Sequence, residues 1–243
     1  MQRSSDKKRV LIAIQARSTS ERFPRKVFEK IGNQTMLQHV VVHCKRAADY
    51  LNSRISTPID AQVVLLVPQG DEIVQSADRL KVDILEGPEK DVLTRYATAA
   101  RDRKADFIVR ITADCPLIPP FLISKHVMLA VEKNYDYLSN VFEESRTAPD
   151  GFDCEVMSSQ LLAYLDQYAV TAEYREHVTL MARREPPRSS RIGCVVSFIH
   201  LADIKLSVDT PEDLERVRAQ YERVKRCNQE AHDRFGRNCV HRV

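Results

Sequence analysis

The chain has 243 residues, 43% of them hydrophobic and 29% charged, the balance of an ordinary globular protein with enough length for one large α/β domain. Its net charge of +3 sits at the ends: residues 1–9 and 222–243 each carry +3 and leave a body of about −3, which disfavours a polyphosphate groove for DNA or RNA. The longest early apolar run, residues 10–14, is too short for a signal-peptide core or a membrane span. Six cysteines without a C-x-x-C pair do not make a disulfide scaffold, so a cytoplasmic protein with reduced thiols is expected.

Residues 10–14 form a short β-branched run that reads as a strand, followed at once by the basic loop Gln15-Ala16-Arg17-Ser18-Thr19-Ser20-Glu21-Arg22-Phe23-Pro24-Arg25-Lys26. From Thr35, an N-cap candidate, apolar positions as far as Leu51 recur at helical spacing. Residues 61–67 predict a second strand, 71–80 a short helix, 82–85 a third strand stopped by Gly87-Pro88, and 92–104 a helix. Residues 107–111 predict the fourth strand, which runs into Thr112 and Asp114, and Pro119-Pro120 opens a helix to about residue 132. This alternation predicts a mostly parallel sheet covered on both faces, with ligand loops at the C-terminal strand ends. The basic loop and Asp114 both fall at such ends and are expected to converge.

Beyond residue 135 the pattern is mixed. Residues 137–140 and 152–156 read as extended, 160–168 and 172–184 as helices, and 192–196 and 204–208 as strands. A helix starts at Pro211, continues past Tyr221 as a basic helix and frays around Gly236. The expected organisation is a polar tail (1–9), a single domain (10–221) and a basic C-terminal helix or tail (222–243).

Three groups of residues carry chemistry. In the loop, the guanidinium forks of Arg17 and Arg22 and the ammonium of Lys26 suit phosphate oxygens; a solvated basic loop is the plain alternative. No Walker or Gly-x-Gly-x-x-Gly pattern is present. Asp114 and Asp209 each close an apolar run, where an unpaired charge is expensive. Two converging carboxylates fit one Mg²⁺, although Asp209 alone reads as a helix N-cap. Asp153 and Glu155, two apart on the predicted strand, share a face and either accept from sugar hydroxyls or coat an edge. His177, beside Glu176 in the helical stretch, reads from the residues alone as a core histidine. Cys115 reads as a small packing residue rather than a nucleophile.

Six segments in order, from the first loop through Gly87-Pro88-Glu89-Lys90-Asp91-Val92-Leu93-Thr94-Arg95-Tyr96, Arg110-Ile111-Thr112-Ala113-Asp114-Cys115-Pro116-Leu117, Pro149-Asp150-Gly151-Phe152-Asp153-Cys154-Glu155-Val156, Arg175-Glu176-His177-Val178-Thr179 and Val208-Asp209-Thr210-Pro211-Glu212-Asp213, carry a resemblance. The chain resembles the cytidylyltransferases that activate sugar acids, in particular the spore-coat polysaccharide branch, which is similar to the 3-deoxy-manno-octulosonate and acylneuraminate enzymes. The resemblance implies a three-layer α/β/α nucleotide-diphospho-sugar transferase (GT-A-like) fold with a mostly parallel mixed central sheet. It also implies Mg²⁺-dependent transfer of CMP from CTP to a sugar acid with release of pyrophosphate, by a homodimer.

By that resemblance, Arg17, Lys26, Asp114 and Asp209 are the catalytic set. Ala16, Arg17, Ser20, Arg22, Lys26, Arg110 and Thr112 bind CTP, and Asp114 and Asp209 hold the metal. Arg146, Asp153, Glu155, Glu176 and His177 face the sugar. Where relatives usually carry glycine this chain has Thr19 and Arg25, and Lys90 stands where an acid is commoner. A non-catalytic nucleotide-binding relative in the same pathway is the alternative, and a glycosyltransferase finds only the weak Asp153-x-Glu155 match.

Overall fold

A computed structural model describes residues 7–55 and 58–235. The strands are β1 (Lys8–Gln15), β2 (Lys30–Ile31), β3 (Gln34–Thr35), β4 (Ile59–Pro68), β5 (Asp83–Gly87), β6 (Phe107–Thr112), β7 (Tyr137–Ser139), β8 (Glu155–Ser158) and β9 (Ile192–Cys194). Seven of them make one sheet in the order β5-β4-β1-β6-β8-β7-β9, in which β8 alone runs antiparallel to its neighbours among the described residues. The helices are α1 (Met36–Asn52), α2 (Ala77–Leu80), α3 (Val92–Asp102), α4 (Pro120–Lys133), α5 (Ser159–Tyr168), α6 (Ala172–Glu176), α7 (Leu180–Arg184) and α8 (Pro211–Phe235). This is the mixed α/β/α, GT-A-like architecture expected.

Both faces of β1 are buried, which is why its apolar run is unbroken rather than alternating. Val10, Ile12 and Ile14 join the core under α1, α4 and α8, whereas Leu11 and Ala13 join the opposite core under α3 and α5. Thr35 caps α1 through a capping box with Gln38: the Thr35 hydroxyl accepts from the Gln38 N–H, and the Gln38 side chain accepts from the Thr35 N–H. Such a cap contributes about 1 kcal/mol. From β1 the chain builds outward through β4 to β5, then returns to place β6 on the other side of β1. The crevice at the C-terminal ends of β1 and β6 is therefore the switch point where open α/β sheets bind ligands. There Gln15 pairs with Thr112 across the two strands.

Several expectations need correction. β1 takes in Lys8 and Arg9, which the sequence places in the polar tail. The helix over 71–80 is a 3-10 stretch (Glu72–Ser76) followed by the single turn of α2. The helix over 172–184 is two short helices, because Val178 takes a left-handed φ of 39° between them. Residues 204–208 form an extended strap rather than a strand. One bridge, Asp150 to Lys205, holds it, and both the Leu206 and Ser207 N–H groups donate to the same Asp150 carbonyl, so no ladder propagates. The expected fraying at Gly236 lies outside the described residues. No helix among those described is long and apolar enough to cross a membrane.

Candidate active site

The loop after β1 closes on itself: the N–H groups of Ser20 and Arg25 both donate to the Ser18 carbonyl. The Ser18 N–H is anchored to the buried Asp71 carboxylate at 2.8 Å, just beyond β4. Closure requires a left-handed residue at Arg25 (φ 60°, ψ 16°), a conformation that costs a non-glycine residue about 1 kcal/mol or more. A glycine would take this conformation without that cost. The Arg25 guanidinium compensates by pairing with Glu72 at 2.9 Å and lying over the Phe28 ring. Thr19 keeps a negative φ, so no glycine is needed there, and its hydroxyl donates to Glu89.

Lys26 follows in a 3-10 turn, and its side chain is only 11% exposed. Its ammonium donates to the Val208 carbonyl at 2.6 Å, to Asp209 at 3.2 Å and to Asp114 at 3.4 Å. Two carboxylates separated by 95 positions are thus no more than two hydrogen-bond lengths apart. The convergence has a local cause. The Val208 N–H donates to the Asp114 carbonyl at 2.9 Å, which lays the strap across the end of β6. Gly151 makes room for the strap, since a Cβ there would meet the backbone of Leu206 and Ser207 at 2.5 Å.

Asp209 is not the helix cap that its sequence allows. Thr210 caps α8 instead: its hydroxyl accepts from the Asp213 N–H, and the Asp213 carboxylate accepts from the N–H groups of Asp209 and Thr210. Asp209 is left facing Lys26, Lys205 and Arg22, the last at 2.9 Å. Burial alone would raise its pKa, but those cations hold it below the usual carboxylate value. Asp213 behaves alike: burial pushes it up, while Lys205 and Arg216 hold it well below. Groups with depressed native pKa values contribute stability above their unfolded pKa, about 3.9, and lose it as pH falls through the native values. These two carboxylates are expected to make the melting temperature fall below about pH 4. Asp213→Asn should flatten that acid limb in a thermal-melt series.

A cavity of about 490 Å³ opens here. Its walls include Ala16, Arg17, Ser20, Arg22, Lys26, Arg110, Thr112, Asp114, Glu176, His177 and Asp209, so every residue expected around CTP, the metal pair and two of the sugar set share one space. Arg17 is exposed and has no ion pair among the described residues. A second cavity of about 220 Å³ shares Arg110, Thr112, Asp114 and Asp209 with the first and adds Asp150, Asp153, Glu155 and Ser207. Burial pushes the Cys115 thiol well above its ordinary value, with Asp114 adding to the effect, so it packs rather than attacks.

Several assignments change. Glu155 is 2% exposed, and its two oxygens accept from Arg110 and Tyr137 at 2.5 Å, so it braces Arg110 rather than presenting an open face to a sugar. Asp153 precedes β8 rather than lying in it, because β8 begins only at Glu155. Burial raises its carboxyl to about 6, Arg146 opposing and Glu155 and Asp150 adding. Arg146 does not line either cavity; it braces Asp153 and Asp150 from behind. His177 is exposed at the rim rather than in the core. It is placed there by the break at Val178 and by Arg175, whose guanidinium grips Asp91 with two bonds of 2.9 and 2.8 Å and ties α6 to α3.

Arg95 lines the cavity and is absent from the sequence-based set. It is 4% exposed, donates to the Leu66 carbonyl at 3.3 Å, and has no carboxylate partner among the described residues. Its signal was legible: an arginine three after Val92 and four before Ala99 lies on the apolar stripe of its helix. Tyr137, which reads as an ordinary core aromatic, has no such signal.

Fold and cavity together define a nucleotidyltransferase. Residues 11–234 match the cytidylyltransferase family model, and the chain belongs to that family. It is similar to the spore coat polysaccharide biosynthesis protein SpsF of Bacillus subtilis, with 28% identity covering 88% of this chain and 87% of that one. It is likewise similar to a 3-deoxy-manno-octulosonate cytidylyltransferase of Solibacter usitatus, with 28% identity covering 86% and 93%. Among solved structures, a cytidylyltransferase from Leptospira borgpetersenii superposes with a TM-score of 0.76 at 26% identity, covering 91% of this chain and 95% of the other.

Proposed function

We propose that the protein transfers CMP from CTP to a hydroxyl of a sugar acid or related sugar, releasing pyrophosphate, in a Mg²⁺-dependent step of surface polysaccharide or glycan synthesis. The observation that carries this reading is the Lys26 ammonium held between Asp114 and Asp209 at the switch point of the sheet.

The donor set fits Mg²⁺. Two carboxylates already converge on one positive charge, and Mg²⁺ characteristically takes one or two protein carboxylates and completes its shell with water and substrate phosphates. No group of three or more ligating side chains occurs among the described residues, which suits an ion shared with a nucleotide better than a protein-only cage. Asp114 and Asp209 would hold it, and when bound it would lower the pKa of the sugar hydroxyl and shield the leaving pyrophosphate.

The chain's own residues supply position and charge. Arg17, Arg22 and Lys26 neutralise the triphosphate along the loop, with Ser20 and the backbone after Ala16 at the same rim. In the second cavity, Asp153 accepts from acceptor hydroxyls, while Glu176 and His177 flank the opening. The acceptor oxygen forms its bond to the α-phosphorus in line as the bond to the pyrophosphate oxygen breaks, and its proton passes to solvent. Holding both substrates in that line is the larger part of the effect. No protein nucleophile is required, in keeping with the buried thiol of Cys115.

CTP is drawn from a cytoplasmic pool, so the reaction is placed there. A homodimer is the expected assembly: the exposed Val196, Phe198 and Ile199 follow edge strand β9 and give a second copy an apolar surface to cover. Sedimentation should give twice the mass of the chain.

The decisive assay is pyrophosphate release with CTP and a panel of sugar acids. CTP-dependent release with at least one acceptor is expected, and silence with all of them would count against catalysis. Arg22→Ala should weaken CTP binding by about 1.5–3 kcal/mol, the value of a charge-assisted contact, as read by calorimetry.

A further inference from the structure

We propose that Glu155 and Tyr137 are positioning residues that hold the Arg110 guanidinium at the wall common to the two cavities, and that neither touches substrate. The inference rests on the nucleotide reading above.

Three neighbouring strands build the arrangement. Arg110 on β6 lies directly opposite Glu155 on β8, and Tyr137 on β7 opposes Met157, two positions along β8 from Glu155. With a side-chain period of two, all three project from the same face of the sheet. The Arg110 Nη1 donates to one Glu155 oxygen and the Tyr137 hydroxyl donates to the other, each at 2.5 Å. Tyr137 is fully buried, and its ring is fixed edge-on against Phe142. Burial would push the Glu155 carboxyl up, but the Arg110 guanidinium, followed by the Thr179 and Tyr137 hydroxyls, brings it below its ordinary value.

A buried ion pair is weak evidence for stability, because apolar residues of equal volume often serve as well. Its placement gives the pair a use. Arg110 retains 18% side-chain exposure and lines both cavities, whereas Glu155, 2% exposed, borders only the smaller one. The smaller cavity also holds Asp114 and Asp209, which pair with Lys26, and Asp150 and Asp153, which pair with Arg146. An unrestrained guanidinium would be drawn onto Asp114 or Asp209 and would compete for the carboxylates that the divalent ion needs. Glu155, hydrogen-bonded to Arg110 and Tyr137 and desolvated, holds Arg110 in the wall between the two cavities.

The test is a double-mutant cycle read in CTP affinity by calorimetry with Mg²⁺, using Glu155→Gln, Arg110→Met and the pair. Glu155→Gln is expected to weaken CTP binding about tenfold or more, the loss of a charge-assisted contact, but to change nothing further in the Arg110→Met background. A merely structural role would lower melting temperature equally in both backgrounds and leave affinity alone. Tyr137→Phe keeps the ion pair, removes one donor and is expected to weaken binding in the same direction without unfolding; it supplies the comparison if Glu155→Gln does not fold. Wild-type affinity in either single variant, or an equal affinity loss with and without Arg110, would overturn the proposal. Failure of the wild-type protein to bind CTP at all would instead remove the nucleotide reading beneath it.

Discussion

Asp209→Asn is expected to lower turnover by about 10²–10³-fold, the scale seen when one preorganised charge is removed from a transition state, while leaving the fold intact. The two halves of that expectation have separate causes. Lys26, the partner most at risk, keeps Asp114 and the Val208 carbonyl as acceptors when Asp209 is neutralised, so no buried ammonium is stranded. The helix start is equally safe, because Thr210 and Asp213 form the cap. What is lost is half of the anionic pair facing the triphosphate. Asp114→Asn should do the same, and the double variant should cost little more than either single one, since residues acting on one ion are not additive. Steady-state pyrophosphate release and a thermal melt, measured on the same samples, check both halves. Wild-type turnover in both single variants would discard the metal assignment.

Gly151→Ala should be the most damaging substitution outside the cavity. Gly151 has φ 105°, and an added Cβ would sit 2.5 Å from the Leu206 carbonyl carbon and the Ser207 nitrogen. Backbone atoms cannot swing aside as a side-chain tip can, so the strap must lift. Its ties to Asp150, including the Ser207 hydroxyl bond of 2.8 Å, lift with it, and with them goes the Val208 contact that places Asp209 beside Asp114. Backbone strain and overpacking together predict a loss of about 2–4 kcal/mol, a fall in melting temperature of about 5–15 °C. Because a displacement of about 1 Å can cost about 10²-fold, turnover should fall further than stability alone explains. The check is turnover at a temperature where the variant is fully folded; unchanged turnover there would show that the strap does not position Asp209.

How much of this was legible depended on whether the cause was local. The half of the sheet built from β1, β4, β5 and β6 follows from short, predominantly apolar runs, and with it the prediction that the basic loop and Asp114 meet. Asp209 was visible as a residue, but its competing role as a cap could be settled only by the Thr210–Asp213 exchange, a matter of side-chain geometry. Beyond residue 135 the helices at 160–168 and from Pro211 and the strands near 137 and 192 are where the pattern places them, and it fails where elements are short and fixed by distant partners. The break at Val178 and the strap at 204–208 are both tertiary overrides of a plausible local pattern. Glu155 shows the limit most clearly. Its spacing from Asp153 suggested a shared sugar-binding face, yet Glu155 is bound to Arg110 and Tyr137 while Asp153 is braced by Arg146. A carboxylate's role depends on which donors reach it, and Tyr137 and Arg110 come from other strands. Arg95 was the opposite case, since a charge on an apolar stripe could have been flagged from the heptad alone.

The central claim is that Asp114, Asp209 and the basic loop form one nucleotide site that works with a divalent ion. Calorimetric titration of CTP into the wild-type protein and into the Asp114→Asn/Asp209→Asn double variant, each with Mg²⁺ and with a chelator, tests it most directly. The wild-type protein should bind CTP at least about tenfold more tightly with Mg²⁺, as a pair of charge-assisted contacts requires, and the double variant should show no metal dependence. Equal affinity with and without Mg²⁺ in the wild-type protein, or a metal dependence that survives loss of both carboxylates, would contradict it.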